Sequence, residues 1–163
     1  MDASQAGALR QLLLSGDIAA LGTLHDGEPA VSMVPYAILP ASGKIIIHVS
    51  RLASHTQDME HHPVTSLMVV APRAPDVPVQ ALARVSLGAT ATVCKGEAPD
   101  YAAARAAYLA KFPTSEPMFG FGDFSLYLLA PLSVRFIGGF GRAWSATAAQ
   151  YQQAMRSRAE RAA

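Results

Sequence analysis

A cluster of polar side chains follows the most strand-like segment of the chain. Residues 44–49 include three consecutive isoleucines, and β-branched runs favour a buried strand over a helix. The polar residues that follow are Ser50, Arg51, Ser54, His55 and Thr56. A strand-to-helix turn offers free N–H groups and the helix dipole, and these side chains add donors suited to phosphate oxygens. The segment therefore predicts a phosphate-type anion site; the alternative is a serine that only caps the helix beside a solvated arginine.

Other groups with catalytic or metal-binding chemistry are weaker candidates. Cys94 is the single cysteine and has no histidine close to it in sequence. His61 and His62 lack a His or carboxylate three or four residues later, so a solvated helix end is favoured over a metal site. The glycine-rich run at 138–141 lacks the Lys-Ser/Thr of a phosphate loop and favours a bulged strand end. No catalytic residue or metal ligand is assigned.

The elements that must position the polar turn are mostly strands. The predicted strands cover residues 18–25, 30–39, 44–49, 63–71, 81–93, 125–129 and 134–138. The predicted helices cover residues 3–14, 54–60 and 100–112, and a polar, alanine-rich helix ends the chain. Closely spaced strands joined by Asp-Gly and Ser-Gly turns indicate a barrel rather than alternating βαβ units. The whole chain, 1–163, is predicted to be one domain.

Composition restricts the possible partners. Hydrophobic residues make up 51% of the chain and charged residues only 15%, so an oligomer interface is expected to cover exposed apolar surface. The net charge of +1 and the lack of a basic stripe argue against nucleic acid. A lone cysteine suits a reducing compartment, and no apolar run reaches membrane-span length. A cytoplasmic protein without a membrane partner is therefore expected.

Three segments in order resemble the FMN-binding split-barrel family related to pyridoxamine 5'-phosphate oxidase. Residues 20–36 resemble its first hairpin, residues 50–67 resemble its phosphate turn, short helix and next strand, and residues 83–89 resemble the strand that closes over the flavin. The run Gly139-Phe140-Gly141-Arg142-Ala143 resembles an element of the haem-utilisation branch, which is the closest branch. The resemblance covers roughly residues 9 to 144 and depends on the order and spacing of the segments together.

The resemblance implies a mainly β fold with flanking helices, a six-stranded antiparallel split β-barrel, and a homodimer with FMN at the subunit interface. It implies contacts to the FMN phosphate from Ser50, Arg51, His55 and Thr56. It implies that the edge of the isoalloxazine ring meets main-chain groups of Ser32, Met33, Val34 and Pro35. Arg84 either reaches the phosphate or ribityl chain or is a solvent-facing charge. Gly141 and Arg142 either come from the partner subunit or mark only the interface.

Departures from the oxidase pattern leave three functions open. The oxidases have a lysine after Ser-Arg, where this chain has Leu52, and His55 takes the lysine's place. No pair of Arg and His in the last third matches the oxidase grip on pyridoxal phosphate, and all five histidines precede residue 63, whereas the haem branch uses a later histidine. The functions are a flavin oxidoreductase acting on an unidentified small substrate, a haem-binding or haem-degrading utilisation protein, and a non-catalytic flavin-binding module.

Overall fold

Eight antiparallel strands build the core of the protein, for which a computed structural model describes residues 1–139 and 142–156. The strands are β1 Ile18–His25, β2 Glu28–Pro35, β3 Ala37–Ile38, β4 Ile45–Ser50, β5 Val64–Val70, β6 Arg84–Cys94, β7 Phe124–Ile137 and β8 Ala143–Thr147. Their order in the sheet is β2-β1-β5-β6-β7-β4-β3, and β8 pairs with β7. The sheet curls, so that β2 comes close to β4 across the barrel.

Within the part of the chain that the structure describes, four α-helices flank the sheet. They are α1 Ala3–Ser15, α2 Ser54–His61, α3 Tyr101–Lys111 and α4 Ala148–Met155, with 3₁₀ helices at Val79–Ala81 and Pro113–Gly120. Capping boxes begin α1 and α4. The side chains of Asp2 and Thr147 each accept the backbone N–H of a glutamine three residues later, and the side chain of that glutamine accepts the backbone N–H of the cap residue. The two terminal helices pack on each other. No helix within residues 1–139 and 142–156 has the length and apolar character needed to cross a membrane.

The predicted fold class is confirmed, although the sheet formed by the described residues has eight strands rather than six. The predicted strand 30–39 is two strands with different neighbours, because β2 pairs with β1 whereas β3 pairs with β4. The two strands predicted near the end of the chain are the single long strand β7, and β8 was not predicted. The helix and strand positions before residue 72 agree with the sequence prediction to within a few residues.

A bulge explains why β7 continues through a proline. Gly88 of β6 lies opposite Ser133, whereas Ala89 lies opposite Pro131, so Leu132 is an extra residue in β7. Proline cannot donate to the ladder and is tolerated at bulges. The side chain of Leu132 is accordingly 53% exposed. The residues that predicted a break between two strands therefore form a bulge within the single strand β7.

Strand β4 separates two hydrophobic cores. Its side chains alternate between the faces of the sheet, so Ile45 and Ile47 enter the barrel interior while Ile46 packs on the other side. The second core is closed by α3, whose Ala104 and Tyr108 are buried against that outer side. All six residues of β4 except Ser50 are buried. The end of β4 therefore lies where the barrel, α3 and the second 3₁₀ helix meet.

Glycine substitutions at two left-handed turns test how α4 is anchored. Gly43 has φ 72°, and a Cβ there would lie 2.7 Å from Cβ of Met155 in α4, whereas Gly27 has φ 84° and open space around it. Gly27→Ala should lower the free energy of unfolding by about 1–2 kcal/mol through backbone strain alone. Gly43→Ala should lose about 2–4 kcal/mol because overpacking is added. Urea unfolding of both variants measures the difference, and equal losses would contradict the contact with α4.

Candidate functional site

The Ser50 hydroxyl, which the sequence predicts to bind a phosphate, is hydrogen-bonded to a carboxylate. Ser50 Oγ donates to Oδ2 of Asp123 at 2.5 Å, and Ser50 Oγ also accepts a hydrogen bond from the N–H of Leu52. The N–H of Arg51 donates to the carbonyl of Asp123 at 2.8 Å. These bonds close the turn after β4 onto the start of β7. The Ser50 hydroxyl is therefore engaged by a negative group in this structure.

The two predicted phosphate-binding arginines donate to main-chain carbonyls. Arg51 is exposed, and its Nη2 lies 3.3 Å from the carbonyl oxygen of Gly122. Arg84 Nη1 donates to the carbonyls of Gln80 and Leu82 at 3.1 and 3.2 Å. Arg51 lines two cavities, and neither His55 nor Arg84 belongs to their walls. The structure therefore does not bring these guanidinium groups together with His55.

The start of α2 carries two buried polar atoms without partners. His55 Nε2 and Thr56 Oγ1 have no hydrogen-bond partner among the described residues. Ala53 supplies no side-chain cap to this helix. Burial lowers the pKa of His55, and Asp58 offsets part of that shift. Unpaired buried polar atoms cost free energy, so a bound polar ligand would relieve this cost at the first turn of α2.

The segment predicted to meet a flavin ring lies on an edge strand. One side of β2 pairs with β1 over its whole length, and β2 ends the strand order of the described sheet. Val34 points into the core, whereas Met33 is 63% exposed; Ser32 and Pro35 flank them. Main-chain groups on the free edge can therefore bind a ligand.

Arg142 is exposed and its carbonyl accepts a hydrogen bond from the N–H of Gly138, while Gly141 lies outside the described residues.

A buried carboxylate between α2 and β1 is the site feature that the sequence analysis missed. Asp58 is only 5% exposed. Its Oδ1 lies 2.8 Å from Nδ1 of His25, and its Oδ2 accepts from the hydroxyl of Thr23, also at 2.8 Å. Thr23 and His25 are two residues apart on one strand, so they point to the same face, and that was the available signal. Their acceptor lies more than thirty residues later in the chain.

Hydrogen bonding fixes the protonation of this pair. The bond to Asp58 and its negative charge raise the pKa of His25, and Asp26 adds to the shift. Burial acts to raise the pKa of Asp58, but the bonds from His25 and Thr23 outweigh it, and the pKa of Asp58 is lowered. An ionised carboxylate only accepts hydrogen bonds, so Nδ1 of His25 carries a proton. When the ring is neutral, its Nε2 therefore presents a lone pair at the surface.

His25 lines a small cavity, and its Nε2 lies 3.9 Å from Oδ2 of Asp26. The volume of the cavity is about 230 Å³, and Leu24, Asp26, His61 and His62 are among its lining residues. Nδ1 of His61 is already bonded to a backbone carbonyl of α2. Within residues 1–139 and 142–156, no group of three His, Cys, Asp or Glu side chains is arranged to hold a metal ion. The cavity therefore suits a ligand that needs a single imidazole.

The outward face of the sheet is apolar around its first strands. Met33, Ala20 and Met68 form one row across β2, β1 and β5. Gly22 lies in the next row beside Val31, which is 75% exposed. On the other side of Gly22 lies Ser66 of β5, so large apolar side chains flank the small residues of β1 only in part. Such a surface is typical of sites that another molecule covers.

Comparison with known proteins settles the family. A family profile described as pyridoxamine 5'-phosphate oxidase matches residues 6–138. The chain belongs to this family. It is 34% identical over 131 residues to "Non-canonical heme oxygenase HOZ, chloroplastic" of Arabidopsis thaliana, a match that covers 80% of this chain and 38% of that protein. The family resemblance predicted from the sequence is therefore confirmed.

Two solved structures share the fold. The heme binding protein from Mycobacterium smegmatis is 34% identical with a TM-score of 0.84, over 94% of this chain and 62% of the other. HutZ, described as the heme storage protein from Vibrio cholerae, has a TM-score of 0.68 at 20% identity, over 77% of this chain and 88% of its own, which shows the fold alone. The chain thus spans 38% and 62% of the two relatives that are 34% identical to it.

The bond between His25 and Asp58 makes the histidine's titration a direct test of the site. Asp58→Asn should move the pKa of His25 down toward about 6.5, whereas Asp26→Asn should move it less, because Asp26 contributes less to the shift. Since the folded-state pKa of His25 is raised, its stabilising contribution is complete below about pH 6.5 and is lost as pH rises through the folded value. NMR titration of the imidazole measures the pKa. Equal shifts in the two variants would disprove the dominant role of Asp58.

Proposed function

We propose that the protein binds haem, with His25 as the protein ligand to the iron. The observation that carries this proposal is the exposed Nε2 of His25, which has no hydrogen bond among the described residues and lies 3.9 Å from Oδ2 of the exposed Asp26. The other nitrogen of the same ring is held by a buried carboxylate. Family membership and the relatives whose names include heme support it. The five histidines of this sequence all precede residue 63, so the proposed ligand is not the later histidine that the resemblance associates with the haem branch.

The arrangement around His25 suits iron ligation. Histidine is a common axial ligand of haem, and a carboxylate on its second nitrogen fixes the ring and makes the ligating nitrogen more basic. Asp58 supplies that carboxylate and Thr23 holds it in place. The cavity at His25 is smaller than a pocket that encloses a whole cofactor, so the tetrapyrrole would extend over exposed apolar surface. Leu24, which is 40% exposed and lines the cavity, begins that surface.

A haem titration with matched histidine variants tests the ligand. The parent should give a Soret band on adding haemin, and His25→Ala and Asp58→Asn should each weaken binding by about 10–100-fold. His62→Ala is the control, because His62 lies in the same cavity wall without a carboxylate holding its ring. Protons compete for Nε2, so affinity should fall as pH drops below the raised pKa of His25. A Soret band lost in His62→Ala but kept in His25→Ala would contradict the assignment.

Turnover is a separate question from binding. Adding a reductant and oxygen to the haem-loaded protein extends the same optical experiment. Loss of the Soret band with release of iron would extend the proposed function to haem degradation. A stable band would limit the function to binding.

We also place the protein in the cytoplasm, since its only cysteine, Cys94, is buried and free.

We further propose a homodimer that buries the outward apolar face. Val31 and Met33 are 75% and 63% exposed on edge strand β2, and isolated domains seldom leave such a surface in water. Met33→Asp should shift the species seen by sedimentation from about twice the chain mass toward the monomer, because a carboxylate would be desolvated in the interface. Val79→Asp is the control, since Val79 is 58% exposed but lies in the 3₁₀ helix outside the sheet. A monomeric parent would refute this proposal.

FMN binding is the second candidate, favoured by the unpaired His55 Nε2 and Thr56 Oγ1 at the start of α2. These groups fit a phosphate, and the free edge of β2 fits the polar rim of a flavin ring, which supplies electron transfer when bound. Arg51 and Arg84 would have to leave their present carbonyl partners to assist. The test is the absorption spectrum of protein purified without added cofactor. A flavin spectrum that is the same in the parent and in His25→Ala would favour FMN over haem.

A further inference from the structure

A second cavity, away from α2 and β2, lies beside the end of β4. Its volume is about 330 Å³, and it is bounded by the ends of β4, β6 and β7 together with α3 and the second 3₁₀ helix. His48 lines it from β4, and Arg51 and Lys95 line it from the turns after β4 and β6. A volume near 300 Å³ is at the lower limit for small-molecule pockets, so a compact, single-ring ligand is the size that fits.

His48 is a buried histidine with unused hydrogen-bonding capacity. Its side chain is 7% exposed, and its Nδ1 has no hydrogen-bond partner among the described residues. Burial lowers its pKa to about 4, so the ring is neutral at physiological pH. A neutral imidazole has one N–H donor and one acceptor. Keeping such a residue in an otherwise apolar layer costs stability, and a ligand in the adjoining cavity would give it a partner.

The wall beside His48 is flat and rigid. The ring of Phe119 stacks on the imidazole with a centroid distance of 3.9 Å and an interplanar angle of 12°. Arg105 lies over Phe119 at 5.0 Å and is itself paired with Glu116 at 2.5 Å. Phe124 contacts the imidazole at 5.2 Å from the side of β7. Because His48 and Arg105 cover the faces of Phe119, a planar ligand would meet the edge of Phe119 together with the ring of Phe124.

The charges at the cavity select an anion. Its lining residues include two cations, Arg51 and Lys95, and no carboxylate. The neighbouring cavity shares both cations but also contains Glu60, so an anion would favour the first. Of two nearby carboxylates, Asp100 is ion-paired with Lys44, whereas Asp123 keeps its charge and accepts a hydrogen bond from Ser50.

We propose that this cavity binds a small planar organic anion, with Arg51 and Lys95 on its carboxylate or phosphate group and its ring against Phe119 and Phe124. His48 gives the ligand a neutral hydrogen-bonding partner at the base of the cavity. The site is separate from the His25 cavity and does not depend on haem binding, because the two cavities share no lining residue. It also gives Arg51 a role other than the FMN contact predicted from the sequence.

Calorimetric titration with benzoate, phenyl phosphate and inorganic phosphate at low salt tests the proposal. We expect one molecule of benzoate or phenyl phosphate to bind per chain. The anion that binds with the higher affinity identifies the acidic group that the site prefers. Arg51→Ala and Lys95→Ala should each weaken binding about tenfold or more, since a charge-assisted contact to an oxyanion contributes on this scale. Arg73→Ala is the matched control, because Arg73 is an exposed loop arginine outside the cavity wall.

His48→Phe separates the roles of the aromatic stack and the imidazole nitrogens. The substitution preserves a ring against Phe119 but removes both nitrogens, so binding should weaken several-fold while the thermal midpoint is maintained or raised. The proposal is overturned if neither organic anion binds, or if binding is unchanged in Arg51→Ala and Lys95→Ala. Inorganic phosphate binding as tightly as phenyl phosphate would overturn the planar-ligand class. His48→Phe should bind haem with the same affinity as the parent, so a failure of the anion proposal can be distinguished from a failure of the haem proposal.

Discussion

The buried carboxylate of Asp58 is the contact that organises the site end of the barrel. It joins α2 to the last residues of β1 through Thr23 and His25, and both of its oxygens are occupied. Removing one partner of a buried charge leaves the other unpaired, so the three groups act as a unit. This unit sets where the first turn of α2 lies and which nitrogen of His25 faces solvent. Both proposed ligand positions on this side of the molecule depend on it.

Strand β4 plays the corresponding role on the other side of the barrel. Its inward isoleucines fill the main core, and its outward residues meet α3 and the second 3₁₀ helix. A strand buried on both faces leaves no solvated position for His48, and the histidine is accommodated by stacking on Phe119. Arg51 follows directly at the strand end, so the charge of the cavity is placed by the same element that forms the core.

The sequence predicted most of the sheet because β-branched runs and Asp-Gly or Ser-Gly turns are local signals. It failed where a distant partner decides the outcome: β7 continues through Pro131 because of a bulge opposite β6, and β8 exists because it pairs with β7. The site shows the same division. The order of polar residues after β4 was readable, but the bond from Ser50 to Asp123 joins residues 73 positions apart. His25 had a local signal in Thr23, yet its importance depends on Asp58 from another element.

The pairing of β4 has a consequence for synthesis of the chain on the ribosome. Residues 45–50 pair with β3, which has only two residues, and otherwise with residues 124–129 of β7. At roughly 5–20 residues per second, the ribosome needs on the order of 4–15 s to reach the start of β7 after the end of β4. During that interval a three-isoleucine segment has no long neighbour, whereas β1, β2 and β5 can already assemble. The nascent chain therefore leaves an isoleucine-rich strand without its long neighbour for seconds, and exposed apolar strands of this kind favour aggregation during synthesis.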